Sequence, residues 1–454
     1  CINNPNILNQ FFQAKSLQKI QSISLRNLSE KVSVQTIFDE LSKSTSSLPN
    51  LRFIDVSGAK GEFTKAPSEL PPGIIRIDAS SIRWQSYDDI SLFFSFVMKR
   101  KWSIDGDGIR LYVANTLVSD DSRPSIEKIF TFDSEGNDRF PLFELCWDNN
   151  PVSPKFFEFL GKNPNLRYLS LNGVFTSPSD DPSFESSEAL LSCLPSLKKL
   201  RIIQIKGKNP QDNNTESINR IIGGLKFVQS LEAVNISNNQ VTDSGAEFIA
   251  EMISNSGKLK MLQFDNLMIK TKESLLTIID AAEAHKKVQL LYPTVTVNEL
   301  LKAKKISKEE EEEICKRIAV IQGVYDIECP QKVNTSFTVE VPHDNKVPDF
   351  LSDEVERAFK IPIQGQKSNE SEDGFSEGTD DENSDKRSSQ FSSMASSEPA
   401  HSKKGKGKHK KKEKQSKVTP CLSLSLAVAT VARTGDSTLW KKKIKAQNPQ
   451  IIFY

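Results

Sequence analysis

The stretch LEAVNISNNQVTDSGAEFIAEMISNSGKLKMLQFDN, residues 231–266, opens and closes on nearly the same phrase. Leu231, Val234, Ile236 and Asn239 occupy relative positions 1, 4, 6 and 9, and Leu259, Leu262, Phe264 and Leu267 take the same positions 28 residues later. In LEAVNIS the apolar side chains alternate as a strand requires, so Val234 and Ile236 point into a core while Ala233, Asn235 and Ser237 point out. Asn239 then leaves the strand, where its amide can bond backbone groups of a neighbouring unit. DSGAEFIAEMI follows, with Ala246, Ile249, Ala250 and Ile253 at helical spacing behind Asp243 as the capping candidate. One such strand-and-helix unit cannot bury its apolar face alone, so a single copy predicts a stack.

Working outward, apolar residues at relative positions 1, 4 and 6 recur from starts at Ile20, Leu51, Ile74, Gly108, Leu142, Leu166, Leu197, Leu231 and Leu259, with spacings of 31, 23, 34, 34, 24, 31, 34 and 28 residues. GIRLYVANT, where Gly108 replaces the first apolar residue, is the weakest copy, and the array is clearest from 142 to 267. The expected architecture is α/β: a curved solenoid with parallel strands on the concave face and helices on the convex face, followed by a disordered C-terminal tail. The form of the unit, a helix of about ten residues returning to the next L-x-x-L-x-L, resembles the ribonuclease-inhibitor-like branch of the leucine-rich repeat family.

Three regions are expected: the repeat array over 17–290, capping helices and a short strand over 291–362, and an acidic then polybasic disordered tail over 363–454. In the second region VQLLY reads as one more apolar strand. Ser307 and Glu310 fit a capping box, with Ile314, Ile318 and Ile321 along one face of the helix behind it. SFTVEVP and PDFLSDEVERAF read as a strand and a short amphipathic helix. In the tail, SNESEDGFSEGTDDENSD and then nine lysines, Lys403, Lys404, Lys406, Lys408, Lys410, Lys411, Lys412, Lys414 and Lys417, offer too little apolar surface to fold. The lysines form a candidate polyanion site, with anionic lipid, nuclear import and RNA as competing readings. The last 35 residues have no coherent structural reading.

The chemistry of catalysis is sparse. The composition, 60 basic and 59 acidic side chains with four histidines, argues against whole-surface nucleic-acid binding and leaves only His285 and His343 outside the tail. Six cysteines form no C-x-x-C pair, which reads as a reduced thiol set rather than a disulfide framework or metal site. No phosphate-binding glycine loop occurs, and DGDGIR at 105–110 reads as a turn before a strand rather than a calcium loop. The longest apolar run, LSLSLAVATVA, has 11 residues, too few for a membrane span. The opening CINNPNILNQ lacks an initiator Met and reads as the start of a fragment. No cofactor, metal or small-molecule substrate is expected.

Function is therefore expected on the outward strand positions. Phe53, Asp55, Arg76, Asp78, Arg110, Tyr112, Glu144, Asp148, Tyr168, Asn172, Arg201, Asn235, Gln263 and Asp265, with Lys199 beside them, form a concave candidate surface for a protein partner. Repeats of this branch, then a helical segment, then a polar and basic tail, are similar to the CARMIL family of actin capping-protein regulators. That resemblance implies a non-enzymatic cytoplasmic scaffold, actin-assembly factors as partners and the inner face of the plasma membrane as its place, although no capping-protein-binding motif is recognisable. The alternative is a GTPase-activating protein of the Ran type, which also joins such repeats to an acidic tail and acts through its partner's catalytic groups.

Overall fold

The computed structural model describes residues 5–322 apart from 27, 29–31, 100–107, 117–126, 131–141, 176–181, 210–214 and 287. The expected strand SFTVEVP, the helix PDFLSDEVERAF, His343, the acidic segment, the lysine run and the last 35 residues lie outside the described residues, as does the first half of DGDGIR.

Among the described residues ten strands form one parallel sheet: β1 Ser22–Ser24, β2 Phe53–Asp55, β4 Arg76–Asp78, β6 Ile109–Tyr112, β7 Leu142–Cys146, β8 Tyr168–Ser170, β9 Ile202–Gln204, β10 Ala233–Asn235, β11 Met261–Gln263 and β12 Gln289–Leu290. Each pairs with the strands of the coils before and after it, except β1 and β12 at the two ends, which pair on one side. β3 Lys60–Gly61 and β5 Arg83–Trp84 make a second, two-stranded parallel sheet within the early coils. The registers align one column of core residues, Ile23, Ile54, Ile77, Leu111, Leu145, Leu169, Ile203, Val234, Leu262 and Leu290, every one buried. Helices return the chain between strands and share that core, among them Val34–Lys43, Tyr87–Lys99, Pro154–Gly161, Thr215–Leu225, Asp243–Asn255 and Lys272–His285. The fold is a leucine-rich-repeat solenoid.

One repeat starts three residues later than the apolar template places it. Ile203 pairs with Val234 and Leu169, so the seventh unit begins at Leu200 and not at Leu197. Both leucines are buried, and 197-200-202 satisfies the apolar template as well as 200-203-205 does. Strand parity separates the two, because Ile202 and Gln204 rather than Lys199 and Arg201 are the outward residues of β9.

A backbone feature repeats with the coil. At relative position 8 the chain turns through the left-handed region at Gly58, Ser81, Asn115, Asn149, Gly173, Asn238 and Asn266, with φ between 52° and 70°. Gly and Asn tolerate this conformation best, which accounts for six of the seven. The N–H of each of these residues except Asn266 donates to the next coil, as in Asn149 N to Asn172 O at 2.7 Å and Asn238 N to Asp265 O at 2.9 Å. The parallel ladder thus continues beyond the strands.

The core changes character along the stack. Its N-terminal half is aromatic, with Phe38, Phe63 and Phe93 edge to face at 5.5–5.9 Å, and Trp147 stacked on Phe156 at 5.1 Å. Its C-terminal half is aliphatic and closes with the helices Thr294–Lys302 and Lys308–Ile321. The capping box of Ser307 and Glu310 is formed, and Ile314 and Ile318 are buried with Ile321 packed beside them. Arg317 fastens this last helix to Lys272–His285 through Glu283 and Asp280 at 2.6 Å each.

The capping role expected of Asp243 falls to a different residue. Thr242 is the N-cap of Asp243–Asn255 and makes no side-chain cap bond. The Asp243 carboxylate reaches the next coil instead, accepting from Lys270 N at 3.0 Å, Thr271 N at 3.1 Å and Thr271 Oγ1 at 2.8 Å. Burial opposes its charge, but these donors hold its carboxyl below the usual value. Among the described residues no helix is long and apolar enough to cross a membrane.

Candidate functional site

The sheet face opposite the helices carries the outward positions 3, 5 and 7, and with position 2, which lies at the start of each strand, they fall into two rows. At relative positions 2 and 3, near the start of each strand, stand Arg52, Phe53, Arg76, Arg110, Phe143, Glu144, Arg167, Tyr168, Arg201, Glu232 and Lys260. At positions 5 and 7, toward the other end, stand Asp55, Asp78, Tyr112, Asp148, Asn172, Asn235, Gln263 and Asp265.

In the first row the contacts pass from coil to coil. The Arg76 guanidinium lies between two rings, 4.7 Å from the centroid of Phe53 and 4.1 Å from that of Tyr112. Arg110 Nε and the Tyr112 hydroxyl both donate to Glu144, at 3.0 and 2.6 Å. Phe143 is shared by Arg110 at 4.7 Å and Arg167 at 4.3 Å. Glu232 accepts from Arg201 at 2.5 Å and Lys260 at 3.0 Å; burial opposes its charge, and the two cations hold it below the usual carboxylate value. Burial, followed by the Glu144 charge, pushes the Tyr112 phenol well up, so it stays a proton donor.

The second row is engaged in holding turns. Asp55 binds Ser24, Arg26 and the Ser57 N–H and hydroxyl. Asp78 accepts from Ser80 N at 3.0 Å, and burial, then the nearby Asp55 charge, raises its carboxyl. Asp148 accepts from Ser170 at 2.5 Å and from Asn172 N at 2.9 Å, while Asn172 Nδ2 reaches Gln204 at 3.2 Å and Gln204 reaches the Tyr168 hydroxyl at 3.0 Å. Asn235 accepts from Ser237 N at 3.1 Å. Asp265 takes the first N–H groups of the helix Thr294–Lys302, Val295 at 2.9 Å and Thr296 at 3.1 Å.

Alternation alone implies an exposed polar surface, whereas Asp55, Arg76, Asp78, Arg110, Tyr112, Glu144, Tyr168 and Asn235 are all buried. Strands about 4.8 Å apart set equivalent side chains against one another, and here aromatic rings, guanidinium groups and carboxylates of successive coils interlock. The accessible part of the face is Lys260, with a side chain 68 % exposed, together with the partly exposed Arg52, Arg167, Arg201, Asp148, Asn172, Gln263 and Asp265.

Nothing in this arrangement supplies a nucleophile with a base. Burial pushes the Cys193 thiol up to about 12 and, with the Asp148 charge, pushes Cys146 well above its usual value, so both stay protonated at neutral pH. Among the described residues no cluster of His, Cys, Asp and Glu is placed to hold a metal ion.

A second surface lies among the helices and was missed from the sequence. A cleft of about 830 Å³ is lined by Leu191, Leu194, Pro195, Phe227, Val228 and Phe248. Phe227 is 73 % and Phe248 38 % exposed, unusual for phenylalanine in a packed array. The pair Gly223-Gly224 was the available signal. A Cβ at Gly224 would stand 2.1 Å from Leu191, so the glycine lets neighbouring helices close together beneath the cleft.

No protein-family model matches the chain, and no curated protein matches it. Solved structures with a similar fold include an internalin from Listeria monocytogenes, 13 % identical over 64 % of this chain and 74 % of that one, with a TM-score of 0.36. The tropomodulin C-terminal domain of Caenorhabditis elegans is 15 % identical, covering 33 % and 87 % with a TM-score of 0.26. The actin-binding site 2 of leiomodin-1 is 19 % identical, covering 35 % and 87 % with a TM-score of 0.25. At these identities and scores the likenesses carry no argument about activity.

Proposed function

We propose that the chain is a non-enzymatic, cytoplasmic protein-interaction scaffold that receives its partner on the strand-side face, and that it regulates actin assembly at the inner face of the plasma membrane in the manner of the CARMIL family it resembles. The observation that carries the scaffold reading is the accessible edge of that face, with Arg52, Arg167, Arg201 and Lys260, mounted on a buried ladder from Phe53 through Arg76, Tyr112 and Glu144. Neighbouring coils hold the ladder's aromatic and guanidinium groups in place before any partner arrives, so the face beneath a partner is already rigid. The actin reading rests on the sequence resemblance.

Three assays test the proposal. Filament elongation from ends blocked with capping protein, followed with and without the full chain, should recover when the chain is added; no recovery removes the CARMIL-like role. Single-turnover GTP hydrolysis by Ran-type and other small GTPases should keep its rate, and an acceleration would replace the scaffold reading with that of a GTPase-activating protein. For the scaffold itself, the combined substitutions Arg201→Glu and Lys260→Glu should release proteins retained by the parent chain.

A further inference from the structure

The two flanks of the stack differ in charge over its last coils. Where each helix returns to the next strand, from β8 to β12, the connectors KNPNLR at 162–167, LPSLKKLR at 194–201, KFVQSLE at 226–232 and SGKLK at 256–260, with Lys286, hold nine lysines and arginines against one carboxylate, Glu232. On the opposite flank, the described residues between each strand and its following helix, from Trp147 to Pro293, hold three cations, Lys206, Lys208 and Lys270, against two carboxylates, Asp148 and Asp265. Helix dipoles do not account for the first set, because their effect is confined to the last turn. The last turns of Pro154–Gly161, Pro182–Cys193, Thr215–Leu225 and Asp243–Asn255 hold no basic residue. Backbone shape does not call for lysine either: Lys286 sits at φ 55°, a left-handed position where Gly or Asn costs less.

The basic flank has two ranks. Arg167, Arg201 and Lys260 stand at the strand starts, and Glu232 engages the last two. Further from the strands, Lys162, Lys198, Lys258 and Lys286 are exposed, and among the described residues their ammonium groups have no hydrogen-bond or ion-pair partner. From β8 to β12 is four strand spacings of about 4.8 Å, roughly 19 Å, so the unpaired charges act as one patch at a Debye length of about 8 Å. In the middle connector Phe227 is 73 % exposed, with Lys226 Nζ 5.3 Å from its ring centroid. A bare phenylalanine among unpaired lysines complements a surface that is anionic outside and apolar beneath. Stacking along a nucleic-acid strand would call for successive aromatic platforms, and Phe227 is the one aromatic residue in these connectors.

We infer that this flank is a docking surface for an anionic phospholipid membrane, with Lys162, Lys198, Lys258 and Lys286 drawing the headgroups and Phe227 entering the boundary between headgroups and acyl chains. The inference rests on the membrane reading proposed above and assigns the contact to the repeats themselves, independently of the Lys403–Lys417 run. Electrostatic attraction gathers the flank to the surface, and burial of the ring adds a contribution that salt does not screen.

Co-sedimentation of the full chain with vesicles of phosphatidylcholine alone, or of phosphatidylcholine with phosphatidylserine, tests this. To remove the tail's contribution, the nine lysines from Lys403 to Lys417 are replaced by Gln in every form but the parent. One form has no further change, a second adds Lys162→Gln, Lys198→Gln, Lys258→Gln and Lys286→Gln, and two others add Phe227→Ala or Phe227→Trp. All five positions are exposed, and unchanged thermal melts establish that the forms are folded alike. The tail-neutralised chain should sediment with the anionic vesicles and not with the neutral ones. The four lysine substitutions should weaken that binding about tenfold or more, and Phe227→Ala about threefold, while Phe227→Trp retains it. Binding indifferent to the lysines or to Phe227→Ala would overturn the inference. So would a single-stranded RNA oligonucleotide held by the tail-neutralised chain in preference to the vesicles, which would assign the flank to nucleic acid. If the parent sediments and the tail-neutralised chain does not, the inference fails while the plasma-membrane reading stands; if neither sediments, both fail.

Discussion

Asn239 Nδ2 donates to the carbonyl of Ile205, 2.6 Å away and 34 residues earlier in the chain, and also to Ile236 O at 2.8 Å. Three coils earlier in the stack, Asn150 makes the same kind of bond to Val113 O in the coil before its own, at 2.5 Å. One buried side chain thus satisfies carbonyls of two coils that neither strand nor helix can pair. Replacing Asn239 by Ala should destabilise the array by about 2–3 kcal/mol, because those carbonyls are left without a donor. Chemical denaturation of the parent and variant gives the number, and a loss below about 0.5 kcal/mol would show that other donors take its place.

Asp78 should make stability fall as pH rises. Its folded pKa is raised, by burial first and by Asp55 second, so its contribution is fully present below the ordinary carboxylate value near 3.8 and is lost as pH rises through the folded value. Asp78→Asn keeps an oxygen for the Ser80 N–H and removes the charge. Its melting temperature should exceed that of the parent at neutral pH, with the difference vanishing toward pH 3.8. A difference independent of pH would contradict the assignment.

Asp265 works as a helix cap supplied by the preceding coil. Asp265→Ala should cost about 1–2 kcal/mol and speed amide exchange at Val295 and Thr296. Asp265→Asn should restore most of that loss, since the acceptor remains and burial already raises the carboxyl.

The left-handed turn at position 8 makes a separate claim about backbone. Asn115 sits at φ 52°, so Asn115→Val should cost about 1–2 kcal/mol while Asn115→Gly stays within a few tenths, as denaturation midpoints would show.

These residues also show what the sequence could and could not reveal. The strand alternation, the role of Asn239 and the capping box of Ser307 and Glu310 were legible because each depends on residues close in sequence or repeated in register. The start at Leu200 was not, since Leu197 offers an equivalent apolar residue and only pairing with β8 and β10 fixes the parity. Asp243 opens its helix as a capping acid would but bonds Thr271, a partner 28 residues away that local spacing cannot disclose. Alternation correctly put Arg76 and Tyr112 on the outward face. Their burial follows from stacking between coils, a property of the assembled sheet and not of any one repeat. The Gly and Asn residues at position 8 were visible and would have corrected the register, because Gly58, Asn149 and Gly173 share the same offset from their strand.

The central claim is that the coils form one stack whose apolar residues are shared, and Ile236→Asp tests it most directly. Ile236 is buried in the common core, and a carboxylate there should cost at least about 4 kcal/mol. Amide hydrogen exchange followed coil by coil should show protection lost in β9 and β11 as well as in β10. Loss confined to the coil of β10, with its neighbours as protected as in the parent, would contradict a shared core.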